Sequence, residues 1–236
     1  MDLHSLSTHS PTNTSSTRTT TPISCTSTTS STPSLPIHVI NEPHRVLLLL
    51  DCQAGMLAPP PIGVPNAQSV RKNIAEVLEE ARRARPPPLI LHVRNNGDVG
   101  EPDEPGTEGW ELVFRPITDS KQEEEGGYKE LVIDKRKNNA FRGTPLAELV
   151  PATAELVVVG FQTDHSIRAT CQEGVKRGNE VLLIRGAHAT HDRIEVLYGG
   201  GTTPASRIEG EVESELEDLG VHILDMKDLP GIFMDR

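Results

Sequence analysis

Three side chains in this 236-residue chain stand where acid–base or nucleophilic chemistry needs them. Asp51 directly follows the apolar run Val46-Leu47-Leu48-Leu49-Leu50. Such a run is a buried strand, and a carboxylate at its end is partly desolvated. Desolvation disfavours the charged form, so Asp51 is a candidate acid or base with a raised pKa. The ordinary alternative is a turn or helix-capping aspartate. Lys135 ends a second apolar stretch, Val132-Ile133-Asp134-Lys135. An amine there holds a carboxylate or lowers a neighbour's pKa; the alternative is a solvated strand end. Thr163-Asp164-His165-Ser166 follows a third strand and opens a helix. Backbone N–H groups at a helix start face outward and favour an anion, which suits a nucleophile beside an oxyanion hole. Simple capping by Thr163 or Asp164 is the alternative. An acid, an amine and a helix-start hydroxyl on three strand ends mean more together than any one alone.

The elements that must position them alternate along the chain. Strands are expected at Val46–Leu50, Leu89–Val93, Leu131–Ile133, Glu155–Gly160, Glu180–Ile184 and Val221–Leu224. Ala67–Arg85 is expected to be a helix, because Val70, Ile74, Val77, Leu78 and Ala81 recur on one face, and Pro86-Pro87-Pro88 stops it. A short helix is expected near Pro145–Leu149, and another over Ser166–Arg177, ended by Gly178. Pro204–Leu219 is an amphipathic helix, with Thr203 as its expected cap and Pro204 at its first position. Continuous apolar strands alternating with helices predict an α/β three-layer sandwich around a six-stranded parallel sheet. In such a sheet the ligand crevice lies at the C-terminal ends of the strands. The ends that matter are Asp51-Cys52-Gln53, Arg94-Asn95-Asn96, Asp134-Lys135, Phe161–Ser166 and Gly186–His188.

Composition narrows the partners. Lys and Arg number 23 against 34 Asp and Glu, a formal charge of −11, which repels nucleic acid and anionic membranes. No apolar run approaches the ~20 residues that span a bilayer. The expected partner is a small-molecule substrate, and a homo-oligomer is expected. Cysteines at 25, 52 and 171 are odd in number and lack metal-ligand spacing, which points to a reducing, cytoplasmic compartment. Of the first 36 residues, 21 are Ser or Thr, and Asp2 and Arg18 are the only acid and base there, histidines aside. Residues 1–38 are therefore read as a disordered tail, with too little apolar surface to offset the entropy of ordering it. The tail lacks the basic start and apolar core of a secretory signal. Residues 39–236 form the globular domain.

The domain resembles the isochorismatase-like cysteine hydrolases, whose relatives include nicotinamidases and N-carbamoylsarcosine amidohydrolases. Leu50-Asp51-Cys52-Gln53 matches the family's D-x-Q. Lys135-Arg-Lys-Asn-Asn-Ala-Phe-Arg-Gly-Thr144 resembles its K-x-x-x-S-A-F-x-G-T, with Asn139 in place of serine. Gly160-Phe-Gln-Thr-Asp-His-Ser-Ile-Arg-Ala-Thr170 resembles its G-x-x-T-D-x-C-V-x-x-T. The likeness runs from Arg45 to Leu224, in order. It implies Asp51, Lys135 and Ser166 as the catalytic set, with Gln162 and Ser166 as backbone oxyanion donors and a cis peptide at Phe161–Gln162. It further implies Gln53, with Gln162, Trp110 and Phe141, as oxyanion- or substrate-binding residues, Trp110 and Phe141 as pocket walls with surface packing as the alternative for these two. No cofactor is expected. No metal is expected either, because Ala54–Asn66 lacks the histidines of the metal-binding nicotinamidases.

The departure falls at the centre, where Ser166 occupies the position of the family's nucleophilic cysteine. A thiol titrates near pKa ~8.5 and is a ready nucleophile; a hydroxyl is far harder to deprotonate. Cys171 lies about 140° further round the helix and Cys52 points to the opposite face from Asp51, so both are expected to be buried structural residues. Vinyl-ether hydrolysis needs only a protonated carboxyl and water, which Asp51 supplies, so serine weakens acyl transfer more than acid-catalysed hydrolysis. The alternative is a catalytically silent member that binds a small molecule or protein partner in the same pocket.

Overall fold

A computed structural model of the chain describes residues 43–117, 130–196 and 199–234. The expected tail and Cys25 lie outside the described residues. The first strand, β1 (Arg45–Leu50), is buried from Val46 onward. Successive side chains of a strand point to opposite faces. Leu47 and Leu49 therefore pack on one side of the sheet, with Val70, Ile74, Val77 and Leu78 of helix α1 (Ala67–Arg83). Val46, Leu48 and Leu50 pack on the other, with Cys171, Ile208, Val212 and Leu216. A strand covered on both faces has no polar side, which accounts for its unbroken leucines.

The remaining strands of the main sheet are β2 (Leu89–Asn95), β3 (Leu131–Lys135), β4 (Glu155–Phe161), β5 (Glu180–Ala189) and β8 (His222–Asp225). They pair in the order β3-β2-β1-β4-β5-β8, every pair parallel. Helices α2 (Leu146–Leu149), α3 (Arg168–Arg177), α4 (Ala205–Asp218) and α5 (Leu229–Ile232) complete the layers. The three-layer sandwich with a six-stranded parallel sheet is the expected fold. A small antiparallel hairpin, β6 (Arg193–Ile194) and β7 (Thr202–Thr203), stands apart from the sheet. The chain runs outward from β1 through β2 to β3, then returns to β4 on the other side of β1. This reversal opens a crevice above β1 and β4, where ligands bind in sheets of this kind.

Local departures from expectation have identifiable causes. β5 continues past Ile184 because its extra residues bulge at Arg185–Ala187, after which His188 and Ala189 pair with Gly160 and Phe161. His188 is thereby drawn into the sheet. Helix α3 begins two residues after Ser166, preceded by a π-helical turn over Thr163–Ile167. Gly178 ends α3 in the left-handed conformation, φ 97°. Pro204 is the N-cap of α4, with extended ψ of 144°, rather than its first helical residue. Thr203 does not cap the helix; its hydroxyl donates to Glu195 Oε1 at 2.8 Å.

Candidate active site

The ends of β1, β3 and β4 bring Asp51, Lys135 and Ser166 into one contact. Ser166 Oγ donates to Asp51 Oδ2 at 2.7 Å. Lys135 Nζ lies 2.8 Å from the same Oδ2 and donates to Ser166 Oγ at 3.0 Å. Its third proton goes to Asn95 Oδ1 at 3.2 Å. An ammonium has three protons and no acceptor, so Lys135 is fully satisfied at 3% exposure. Asp51 and Ser166 are equally buried, at 7% and 4%. Asp51 Oδ1, by contrast, has no hydrogen-bond partner among the described residues. Burial pushes the Asp51 carboxyl above the usual carboxylate range, and the Lys135 charge offsets this only in part.

The backbone aims these groups. Asp51 adopts φ 53°, an uncommon conformation for a residue with a side chain, which turns the chain sharply at the end of β1. Leu50 pairs with Gly160 across the crevice floor. A Cβ on Gly160 would fall 1.9 Å from the Leu50 carbonyl oxygen, and φ there is 121°, so only glycine fits this approach. The Phe161–Gln162 peptide is cis. Both His165 N–H and Ile167 N–H donate to the Gln162 carbonyl at 3.1 Å, winding the π turn that presents Ser166. Below it, Thr190 Oγ1 and Arg193 Nη2 hold Asp164 at 2.6 and 2.7 Å. These bonds overcome the effect of burial and keep the Asp164 carboxyl below its ordinary range.

A cavity of about 510 Å³ opens above this centre. Asp51, Ser166, Gln162 and Asn95 form part of its wall, with Asn138, His165, His191, Glu101 and Asp103. Met56, Ile62 and Pro102 supply its apolar part. Sequence reasoning assigned no role to Asn95, Asp103, His165 or His191. Asn95 had one signal, its position at a strand end; Asp103 lay in an acidic loop whose closure over the sheet is a long-range contact.

Gln53, Trp110 and Phe141 do not line this cavity. Gln53 is fully buried and works as a clamp: its Nε2 donates to the Asn95 and Trp110 carbonyls at 3.0 and 3.1 Å, and its Oε1 accepts from Asn95 N–H at 2.9 Å. It thus fixes Asn95, which in turn fixes Lys135. Trp110 does not wall this cavity, because the Arg94 guanidinium stacks 3.4 Å from its ring centroid and its Nε1 donates to Asn96 Oδ1 at 2.7 Å. Phe141 does not wall it either. Its N–H donates to Asn139 Oδ1 at 2.9 Å, the preceding N–H donates to Thr170 Oγ1 at 3.1 Å, and the ring packs into the core. His188 does not line the cavity: its ring lies 2.9 Å from Thr163 Oγ1 and 3.2 Å from Glu213. Cys52 and Cys171 are buried free thiols, the first pushed well up by burial, the second pushed up to about 12. Among the described residues no group of three or more His, Cys, Asp or Glu side chains forms a metal cluster.

Known proteins agree with this architecture. The Isochorismatase domain model matches residues 45–196. A streptothricin hydrolase of Streptomyces noursei is 33% identical over 185 residues, spanning 78% of this chain and 69% of that protein. A secreted isochorismatase effector of Verticillium dahliae is 28% identical over 160 residues, 67% of this chain and 79% of that one. Among solved structures, an isochorismatase from Pseudomonas putida KT2440 superposes with a TM-score of 0.67 at 26% identity, covering 78% of this chain and 89% of its own. The chain belongs to the isochorismatase family, and is a hydrolase of that family.

Proposed function

We propose that the protein hydrolyses a small organic substrate at the Asp51–Lys135–Ser166 centre, with Asp51 moving the proton, Lys135 as its charge partner and Ser166 in the nucleophile's position. The observation that carries this reading is the closed triangle of contacts, 2.7, 2.8 and 3.0 Å, beside a cavity. The bond cleaved is a C–N amide or a vinyl ether. For an amide, Ser166 Oγ attacks the carbonyl carbon as its proton passes to Asp51. The C–N bond breaks, Asp51 returns the proton to the departing amine, and water then releases the acyl group from Ser166. Backbone N–H groups of Gln162 and Ser166 receive the carbonyl oxygen; the π turn at the cavity wall supports this role.

A second reading is favoured by the raised pKa of Asp51. Its carboxylic acid protonates the carbon of a vinyl ether, and water attacks the resulting cation without help from Ser166. Asp51→Asn and Ser166→Ala separate the two on a panel of amides and of vinyl ethers that includes isochorismate. Loss of about 10²-fold or more in kcat/KM is expected for Asp51→Asn in either case. Ser166→Ala is expected to match it for an amide, and to cost little for a vinyl ether. No turnover of either class by wild-type protein, or full activity in Asp51→Asn, would contradict the reading. Two buried free thiols support a reducing, cytoplasmic setting. No described helix is long and apolar enough to cross a membrane.

A further inference from the structure

Behind the π turn lies a second array of carboxylate, imidazole and hydroxyl, formed by Glu213, His188 and Thr163. His188 Nδ1 is 2.9 Å from Thr163 Oγ1. Its Nε2 is 3.2 Å from Glu213 Oε1, off the line of a good hydrogen bond. A carboxylate only accepts, so the ring proton is assigned to Nε2, and Nδ1 accepts from the Thr163 hydroxyl. Glu213 has a second partner, Arg185 Nε, which donates to its Oε2 at 2.8 Å. Burial opposes the charge of Glu213, but the bonds from His188 and Arg185 hold its carboxyl below the ordinary range. It therefore faces the ring as an anion. An array of this kind activates the hydroxyl where a substrate can reach it. Here Thr163 and His188 are 0% and 1% exposed, and neither lines the cavity. The array acts on its own chain, not on a substrate.

We propose that His188 is a positioning residue for Ser166: backed by Glu213, it grips the Thr163 hydroxyl and fixes the turn that carries Ser166 to Asp51 and Lys135. The inference rests on the hydrolytic centre proposed above. Thr163 is the first residue of the π turn, and Arg168 N–H reaches its carbonyl, closing the stretch of backbone that contains Ser166. The next side chain, Asp164, is tied to Thr190 and Arg193. Two consecutive side chains of the turn are thus anchored to the segment that runs on from β5. His188 reaches Thr163 because β5 bulges at Arg185–Ala187. Gly186 takes φ 79° there, and its carbonyl accepts from Asn73 Nδ2 of α1 at 2.9 Å. Residues of α1, β5 and α4 therefore converge on one buried hydroxyl. Supporting side chains of this kind keep a reacting group within the fraction of an ångström that its chemistry needs.

Substitutions in the full chain carrying Ser166→Cys test this, with iodoacetamide as the probe and mass spectrometry to read each cysteine across pH. Thr163→Val and His188→Leu keep the volume and remove the bond. Thr163→Ser keeps a hydroxyl, and His188→Asn keeps an acceptor near the place of Nδ1. The first pair is expected to slow alkylation at position 166 about tenfold and to raise the pKa of its thiol, because the turn no longer holds that side chain against Lys135. The second pair is expected to stay within about twofold of the Ser166→Cys parent. A brace for stability alone behaves differently: its loss exposes Cys52 and Cys171 to alkylation and leaves position 166 as fast or faster. If Thr163→Val or His188→Leu does not fold, Glu213→Gln carries the test, since it removes charge without changing shape; it is expected to slow position 166 about threefold. Unchanged rates at 166 in the variants that fold, or a full loss in both Thr163→Ser and His188→Asn, would overturn the inference, while a reactive parent thiol leaves the hydrolytic centre standing. A parent thiol no more reactive than Cys52 and Cys171 would overturn both.

Discussion

Asp51 is asked to hold a proton in one reading and to take one in the other, and its surroundings bear on both. Burial raises its pKa; Lys135 at 2.8 Å and the Ser166 hydroxyl at 2.7 Å pull it back. The sign of the pH dependence follows from which form works. If Asp51 is the base for Ser166, kcat/KM rises with pH through its raised pKa. If Asp51 is the acid for a vinyl ether, kcat/KM falls as pH rises through the same pKa. His165, His191, Glu101 and Asp103 also face the cavity, so the profile is compared with those of His165→Gln and His191→Gln. A slope that both histidine variants abolish would assign it to the imidazoles instead. At this scale the sequence was informative about Asp51, Lys135 and Ser166, because each ends or follows an apolar strand. It was uninformative about Asn95 and Asp103, whose roles depend on hydrogen bonds between side chains brought together by a loop.

The elements meet most tightly where β1 and β4 pass each other. Leu50 and Gly160 are register partners directly below the site, and the Leu50 carbonyl occupies the space a Cβ at 160 would need. Gly160→Ala is therefore expected to cost roughly 3 kcal/mol or more, read as a lower urea midpoint, through backbone displacement and strain at φ 121°. A loss under about 0.5 kcal/mol, the usual range for an exposed site, would show that the strands are free to part. The strands were legible as continuous apolar runs, buried on both faces, and α1 by its apolar period of 3.6. The π turn before α3 was not, since Thr163–Ile167 carries no pattern that separates a π turn from a helix start. The extension of β5 was hidden for a related reason: Arg185-Gly186 reads as a strand end, and only pairing with β4 carries the strand past it.

Across the whole molecule, a part-buried Arg82–Glu130 ion pair ties α1 to the segment that leads into β3. Glu130 accepts from Arg82 Nε at 2.7 Å and from Ile117 N–H at 3.1 Å, and lies 2.9 Å from the buried His92 ring. Burial opposes the charged form, but the bonds from His92, Arg82 and Ile117 prevail and lower its carboxyl to about 2. A carboxylate depressed on folding contributes stability that is fully present above its unfolded pKa and is lost as pH falls toward the folded value. The melting temperature should thus fall as pH drops from about 4.5 toward about 2, and Glu130→Gln should flatten that fall while lowering the plateau above it. An unchanged acid limb in the variant would remove Glu130 from this role. The parallel sheet and its crevice were legible from the alternation of strands and helices, and the strand ends named the crevice. Their order was not, because side-chain pattern does not specify which parallel strands are neighbours. That order is what brings the ends of β1, β3 and β4 together. The most direct test of this convergence is the alkylation rate of Ser166→Cys with iodoacetamide, measured per cysteine across pH by mass spectrometry. The introduced thiol, beside Lys135, is expected to titrate below ~8.5 and to react faster than Cys52 and Cys171. Lys135→Met in the same background is expected to raise that pKa. A thiol at 166 that reacts no faster than the two buried cysteines, with or without Lys135, would contradict the account of the three strand ends as one reacting centre.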